Sequence, residues 1–585
     1  MSTEETPLGS MGDGEPVGAE AAGRARATRR WRRSTPEGEG VDAAGIHSLI
    51  GALEADPAQD PHALIVVRHG AVVASVQWEP YATQRPQLVY SLSKSFTSTA
   101  AAFAAAEGLL DLDTPAADYF PEYADSVADK SRGILVRHLA SMATGHVNDM
   151  IVSFQADPQH PIKAFLASPP EREPGSLFTY NQLATYTLAS IIQRGSGQRL
   201  SEYLRPRLFE PLGIAPVGWQ QEPVDVELGF SGLFATPEAV AKLGQLYLDG
   251  GVWNGRRLLA EEWVREATRE HIATVRPDDL VPPNPDWAQG YGFQFWMSRH
   301  GFRGDGAFGQ FCLVLPEHDA VVAITSQTDD LQGTLDHVWT HLLPAFGPAR
   351  AAAGTTAESA SAAAADGADA GGGADASGSA DAAGADVSGE ANAAGADAAS
   401  GTGPMGAELA VERRVLTFPT DLGPLSALAD SAAGAYPRAD DARSQTEYRL
   451  LESVTLSRDG DGWTLTLAEV NAERSAESAD AWVAAVGGTP PTGTVTGHVG
   501  DGAWAVTEGE DSGTLGVPTG VRAGIRDDGV LHVEVAFIDT PHRLTLLFDT
   551  AARTVTPRWI TQALGFEGAF QLRAVRPGER FQVVR

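Results

Sequence analysis

The chain has 585 residues, 43% of them hydrophobic, with a formal net charge of −33 and a single cysteine. That excess of acid argues against a nucleic-acid binder, and one cysteine excludes an intrachain disulfide. No run of about 18 apolar residues is present, which argues against a membrane span.

Residues 1–40 read as a disordered tail. Its arginine cluster (Arg24, Arg26, Arg29, Arg30, Arg32, Arg33) is followed by Ser34-Thr35-Pro36-Glu37 and not by the apolar stretch of an export signal. The expected location is therefore the cytoplasm. Residues 41–350 read as one folded unit. Leu64–Val67, Arg68-His69-Gly70 and Ala71–Ala74 spell strand, turn and strand. Ser91–Leu110 is Ala-rich and predicts a helix buried on most sides. Further helices are predicted over Val136–Ala143 and Thr179–Gly195, the second closed by Gly195. Another opens at Thr236-Pro237, with Thr as N-cap and Pro in the first turn. Phe311–Leu315 and Ala320–Thr325 flank Pro316–Asp319 as a second hairpin, with Cys312 as a buried strand residue.

Residues 351–410 consist mostly of Ala, Gly, Ser and Asp, without Lys, Arg or aromatic residues. Such a stretch has too little apolar surface to order itself and reads as a disordered acidic linker. From 411 to 585, short alternating runs recur between turns, for example Trp463–Leu467, Leu531–Ile538 and Arg543–Phe548. They predict an all-β sandwich or small barrel, with no catalytic cluster visible in it.

Three segments carry the chemistry. Only four of the 43 Lys and Arg residues are lysine, and Lys94 alone has a serine three residues before it, Ser91. Burial can lower an ammonium pKa until the amine accepts a proton, whereas a guanidinium stays charged. A Ser and a Lys three apart at the start of a helix share a face, which puts a nucleophile beside its base. A helix N-terminus also points backbone N–H groups at a reacting carbonyl oxygen. The second segment is Glu173-Pro174-Gly175-Ser176-Leu177-Phe178-Thr179-Tyr180-Asn181-Gln182. A tyrosine near a cationic lysine would have its phenolate favoured. The third is Gly304-Asp305-Gly306-Ala307, entering an apolar strand, where glycines permit close approach of a ligand or another backbone. Each segment alone is open to a plain structural reading: an exposed helical lysine, a core tyrosine, a glycine-rich turn.

Together they resemble the β-lactamase-related serine hydrolases, which include class C β-lactamases, D,D-peptidases, esterases and amidohydrolases. The resemblance covers roughly residues 42–348 and extends to Arg137–His146, Phe209–Ile214, Gly232–Glu238 and Tyr291–Trp296. It implies an α+β fold, an antiparallel sheet flanked by helices with a helical subdomain. It implies Ser91 as acylated nucleophile and Lys94 and Tyr180 as the base. The family's Lys/His-Thr-Gly strand motif would fall on Gly304, Asp305 and Gly306, with the Ala307 N–H as oxyanion donor. Two positions depart from the pattern. Gln182 stands where the family has Asn, although Asn181 is adjacent, and Gly304 replaces a basic residue that normally helps hold a substrate carboxylate. Asp305 would repel such a carboxylate.

The expected activity is hydrolysis of a small ester or amide through an acyl-enzyme, without metal or organic cofactor and without nucleic-acid or membrane partners. The oligomeric state is not legible. A true β-lactamase or D,D-carboxypeptidase is the alternative enzyme. A catalytically idle binding protein on the same fold is the alternative from another class.

Overall fold

The computed structural model describes residues 31–347, 412–415, 422–439 and 448–579, apart from 157–158, 224, 277–282, 449, 461, 471–492 and 565–567. Most of the expected tail and all of the expected linker over 351–410 lie outside the described residues. Residues 31–40, counted with the tail, do have structure: Arg33 bridges Val72, and Arg32 ion-pairs with the buried Glu39.

Seven strands form the first sheet: β1 (Pro61–Arg68), β2 (Ala71–Glu79), β3 (Trp296–Met297), β4 (Phe302–Gly306), β5 (Gln310–Leu315), β6 (Ala320–Ser326) and β7 (Glu412–Val415). Their order is β7-β2-β1-β6-β5-β4-β3. All neighbours pair antiparallel except β7, which lies parallel on β2 at the edge. β7 thus adds to the first sheet although it follows the expected linker. Every residue of β1, β5 and β6 is buried. The reason is that both faces of the sheet are covered. Leu64, Val66, Leu313 and Ile324 face helix α1 (Ala43–Ala55) and the stretch Leu331–Leu342. Ile65, Val67, Cys312 and Val321 alternate onto the other face, against helices α2 (Ser93–Ala106) and α4 (Pro237–Leu248). Strands covered twice read as unbroken apolar runs rather than alternating ones.

The expected helices are present with shifted ends. α2 begins after a single 3-10 turn, Tyr90–Leu92, and stops at Ala106 rather than Leu110. The third helix, α3, spans Gln182–Ser196, because the Asn181 side chain accepts from Leu183 N and caps it. Gly197, not Gly195, takes the left-handed C-cap conformation (φ +66°). Thr236 caps α4 as expected, accepting from Ala239 N. The helix after Val136 ends at Ala140.

The C-terminal region is mostly strand. Its sheet runs in order from Gly434–Pro437 through Leu451–Asp459, Gly462–Glu469, Thr494–Asp501, Thr519–Ile525, Leu531–Phe537 and His542–Asp549 to Thr554–Trp559. Ala505–Thr507 pairs beside Thr519–Ile525. Alternate residues such as Leu465, Leu467, Val533, Leu544 and Leu546 fill one interior. The two ends of the sheet meet where Arg438 bridges Val555, and the sheet curls into a near-barrel. This resolves the sandwich-or-barrel alternative.

The near-barrel and the first sheet's region belong to one compact unit. Arg85 joins them, donating to Asp539 at 2.8 Å and to Glu508 at 2.7 Å. Arg543 pairs with Asp60, and Tyr81 packs on Ala536 and Ile538. Among the described residues, no helix is long and apolar enough to cross a membrane.

Candidate active site

Ser91 sits in the 3-10 turn that leads into α2, so the start of the helix lies immediately beneath it. Its neighbours pin the turn. Ser93 Oγ donates to Tyr90 O at 2.6 Å and accepts from Leu233 N, and Val89 N donates to Leu233 O. Tyr90 is held at φ +47°, a left-handed conformation costly for a bulky residue, directly before the nucleophile candidate. Small polar residues then stitch α2 to the surrounding loops: Ser95 to Gln294 O and Thr97 to Gly229 O.

Lys94, one turn on, is 1% exposed. Its Nζ lies 3.1 Å from Ser91 Oγ, 2.7 Å from Gln182 Oε1 and 2.8 Å from Phe230 O. It also sits over the Tyr180 ring, 4.6 Å from the centroid. Burial takes its pKa down to about 7, against the pull of the Asp149 and Asp305 carboxylates. The amine can therefore exist unprotonated near neutrality, as the isolated lysine suggested.

Tyr180 hydrogen-bonds Ser91 and stacks on Trp296, centroids 5.4 Å apart. Its acidity runs opposite to the expectation. Burial raises the phenol pKa far above its ordinary value, and Asp305 and Asp149 raise it further. The neighbouring lysine does not rescue the phenolate, because burial penalises the charged form and the Asp305 and Asp149 carboxylates add to that penalty. Tyr180 stays a phenol.

Of the adjacent amides, the structure brings Gln182 to Lys94 and not Asn181. Asn181 is fully buried, spent on Leu183 N and on Met150 N at 3.3 Å. Gln182, first residue of α3, keeps the amide in reach with a longer side chain. The departure from Asn thus still leaves an amide oxygen on the Lys94 amine, at 2.7 Å.

The strand motif lies on β4, next to α2. A Cβ on Gly306 would stand 2.2 Å from Val89 O, so only glycine lets the strand approach the Ser91 turn this closely. A Cβ on Gly304 would meet Ser95 Oγ at 2.5 Å. The basic side chain of the related pattern would have to displace Ser95 to stand there. The nearest cation on the strand, Arg303, is fully buried. It donates to Asp305 at 3.0 Å, to Asp286 O at 2.7 Å and to Ser298 Oγ. Asp305 is consequently a paired, buried carboxylate and not the bare repelling charge expected. β3 pairs with β4 only at Phe302 and Arg303, so the edge at Gly304–Gly306 is free of that neighbour. Ala307 follows at the turn into β5.

No sequence motif marked Asp149, which accepts from Gln182 N at 2.9 Å and faces Lys94 electrostatically. Nor did it point to Phe230, whose carbonyl holds the amine. The recognisable Thr144-Gly145-His146 turn lies just before Asp149, and Gly232-Leu233-Phe234 just after Phe230. Among the described residues no cluster of three His, Cys, Asp or Glu could hold a metal ion.

A family model described as Beta-lactamase matches residues 52–346. The 6-aminohexanoate-dimer hydrolase of Paenarthrobacter ureafaciens is 25% identical over 292 residues, covering 46% of this chain and 73% of that hydrolase. Penicillin-binding protein 4 of Amycolatopsis lactamdurans is 24% identical over 275 residues, covering 40% of this chain and 70% of that protein. Among solved structures, a putative 6-aminohexanoate-dimer hydrolase from Bacillus anthracis matches 48% of this chain and 78% of its own, at 21% identity and a TM-score of 0.41.

Proposed function

The chain belongs to the beta-lactamase family of serine hydrolases, and from that premise we propose that it cleaves a small ester or amide through an acyl-enzyme on Ser91. One observation carries the reading: the surroundings of the Lys94 amine. A neutral amine has two N–H bonds and one lone pair. The carbonyl oxygens of Gln182 and Phe230, at 2.7 and 2.8 Å, accept the two N–H bonds. The lone pair is left for the Ser91 hydroxyl at 3.1 Å.

In this reading Lys94 takes the Ser91 proton as Oγ bonds to the substrate carbonyl carbon. The backbone N–H groups of Ser91 and Ala307 hold the oxyanion. Tyr180, a phenol hydrogen-bonded to Ser91, relays the proton from Lys94 to the leaving amine or alcohol as the scissile bond breaks. Water, deprotonated by the same lysine, then releases the acid and restores Ser91. The amide-cleaving relative from Paenarthrobacter is consistent with such a substrate class. Gly304 and the sequestered Arg303 offer no hold for a substrate carboxylate, which favours this reading over a β-lactamase or D,D-carboxypeptidase.

The test is a hydrolysis screen over neutral esters, amides and penicillins beside labelling with a small fluorophosphonate. Wild type should carry one label, on Ser91, and Ser91→Ala neither label nor turnover. A Ser91→Ala protein that still hydrolyses the preferred ester would show that the nucleophile lies elsewhere.

A further inference from the structure

Ser91 opens into a cavity of about 340 Å³ whose walls come from two distant parts of the chain. One side is Leu88, Leu228 and Phe230, close to the catalytic lysine. The other is Leu564, Gln571 and Leu572, from the C-terminal region. Among the described residues, Asp149 is the only charged side chain lining it, and its own pKa is raised by burial.

The far wall is anchored on both flanks. On one flank, Tyr90 Oη and His542 Nε2 are 2.5 Å apart, and His542 Nδ1 is 3.0 Å from Thr561 O. The rings of Tyr90, Phe308 and His542 meet edge to face, with centroids 5.0 to 5.8 Å apart. On the other flank, Val575 joins Leu88, Tyr90, Phe234 and Phe308 in one apolar cluster. Gly218 is required beside it, since a Cβ there would stand 1.7 Å from Val575 O. Gln221 Nε2 donates to Glu579 O at 3.0 Å. The residue preceding the nucleophile therefore hydrogen-bonds directly to the near-barrel.

We propose that Leu564 and Leu572 form the wall that gauges the acyl chain of a neutral substrate, so that chain length is selected by residues beyond position 560. This rests on Ser91 being the nucleophile. The volume lies at the small end of ligand pockets, which run about 300–1,000 Å³. A lining that mixes leucines with uncharged polar groups and carries one acid among the described residues selects against anionic acyl groups and admits a short uncharged chain. Leu564, 66% exposed, sits at the rim. Leu572, 1% exposed, lies deep.

The experiment uses full-length protein and p-nitrophenyl esters from acetate to decanoate. Leu564→Trp narrows the rim at an exposed position, where folding tolerates change. It should lower kcat/KM for octanoate at least about 10-fold relative to acetate, the scale of a misfitted methylene or two in an apolar pocket. Ser91 should still be labelled by the small fluorophosphonate, which shows that the nucleophile remains intact and reachable. Leu572→Met, which conserves volume, should shift the optimal chain length without loss of labelling. Identical chain-length profiles in wild type and both variants, with Ser91 still labelled, would overturn the wall alone. Hydrolysis that persists in Ser91→Ala would overturn the nucleophile assignment and the proposal with it.

Discussion

At the scale of residues, the proposed chemistry turns on Lys94. A pKa of about 7 means that below neutrality the amine is protonated and cannot accept from Ser91. We expect kcat/KM for a neutral ester to rise with pH through a midpoint near 7 and to level off above it. Gln182→Glu would place a carboxylate where the amide oxygen stands 2.7 Å from Nζ. An opposite charge that close should raise the lysine pKa by about 1–3 units, moving the pH–rate midpoint up by the same amount. An unmoved midpoint would show that the titrating group is not Lys94. Lys94→Arg keeps charge but has no base, and should cost at least about 10²-fold in kcat with folding retained. The lysine was legible because the chain otherwise uses arginine. The behaviour of Tyr180 was not, because its acidity depends first on burial and then on Asp305 and Asp149, which are 125 and 31 positions away in sequence and come together only in the fold.

At the scale of elements, the fit between β4 and the turn before α2 decides what the motif can do. The glycines at 304 and 306 are demanded by contacts from a different element, Ser95 and Val89. Gly306→Ala forces Cβ against a backbone oxygen. It should cost about 1–3 kcal/mol of stability, seen as a lower unfolding midpoint, and should reduce acylation because the Ala307 N–H shifts. Gly304→Lys, which restores the related basic residue, should not create penicillin turnover, since its stem meets Ser95 before the ammonium reaches the site. Penicillin hydrolysis comparable to that of a neutral ester in Gly304→Lys would refute this account. The strands and helices themselves were legible from apolar runs and from caps such as Thr236. Their ends were not. Asn181 rather than Thr179 starts α3 because its side chain reaches Leu183 N, a choice that local sequence leaves open between two good capping residues.

At the scale of the whole molecule, the C-terminal region is bound to the first sheet by Arg85 with Asp539 and Glu508, Arg543 with Asp60, Tyr90 with His542, and β7 on β2. A protease site inserted within 351–410 should therefore be cut without separating the halves, which should co-elute on size exclusion and retain turnover. Separation into two freely diffusing pieces, each still folded, would mean that these contacts are too weak to hold. His542 adds a pH signature. Burial lowers its folded pKa to about 3, from 6.5. Its contribution is complete above pH 6.5 and is lost as pH falls toward 3, because only the unfolded chain takes up the proton. Thermal unfolding of wild type and His542→Gln should converge across that window. From the sequence alone came the family, the α+β and all-β character of the two regions, and the pairing of Ser91 with Lys94, since these rest on short-range spacing and apolar periodicity. Only the tertiary structure decided which amide meets the lysine, that Tyr180 remains a phenol, that Asp305 is neutralised by Arg303, and that residues beyond 560 wall the cavity at Ser91. Those outcomes depend on desolvation and on contacts between residues tens to hundreds of positions apart, which no local pattern records.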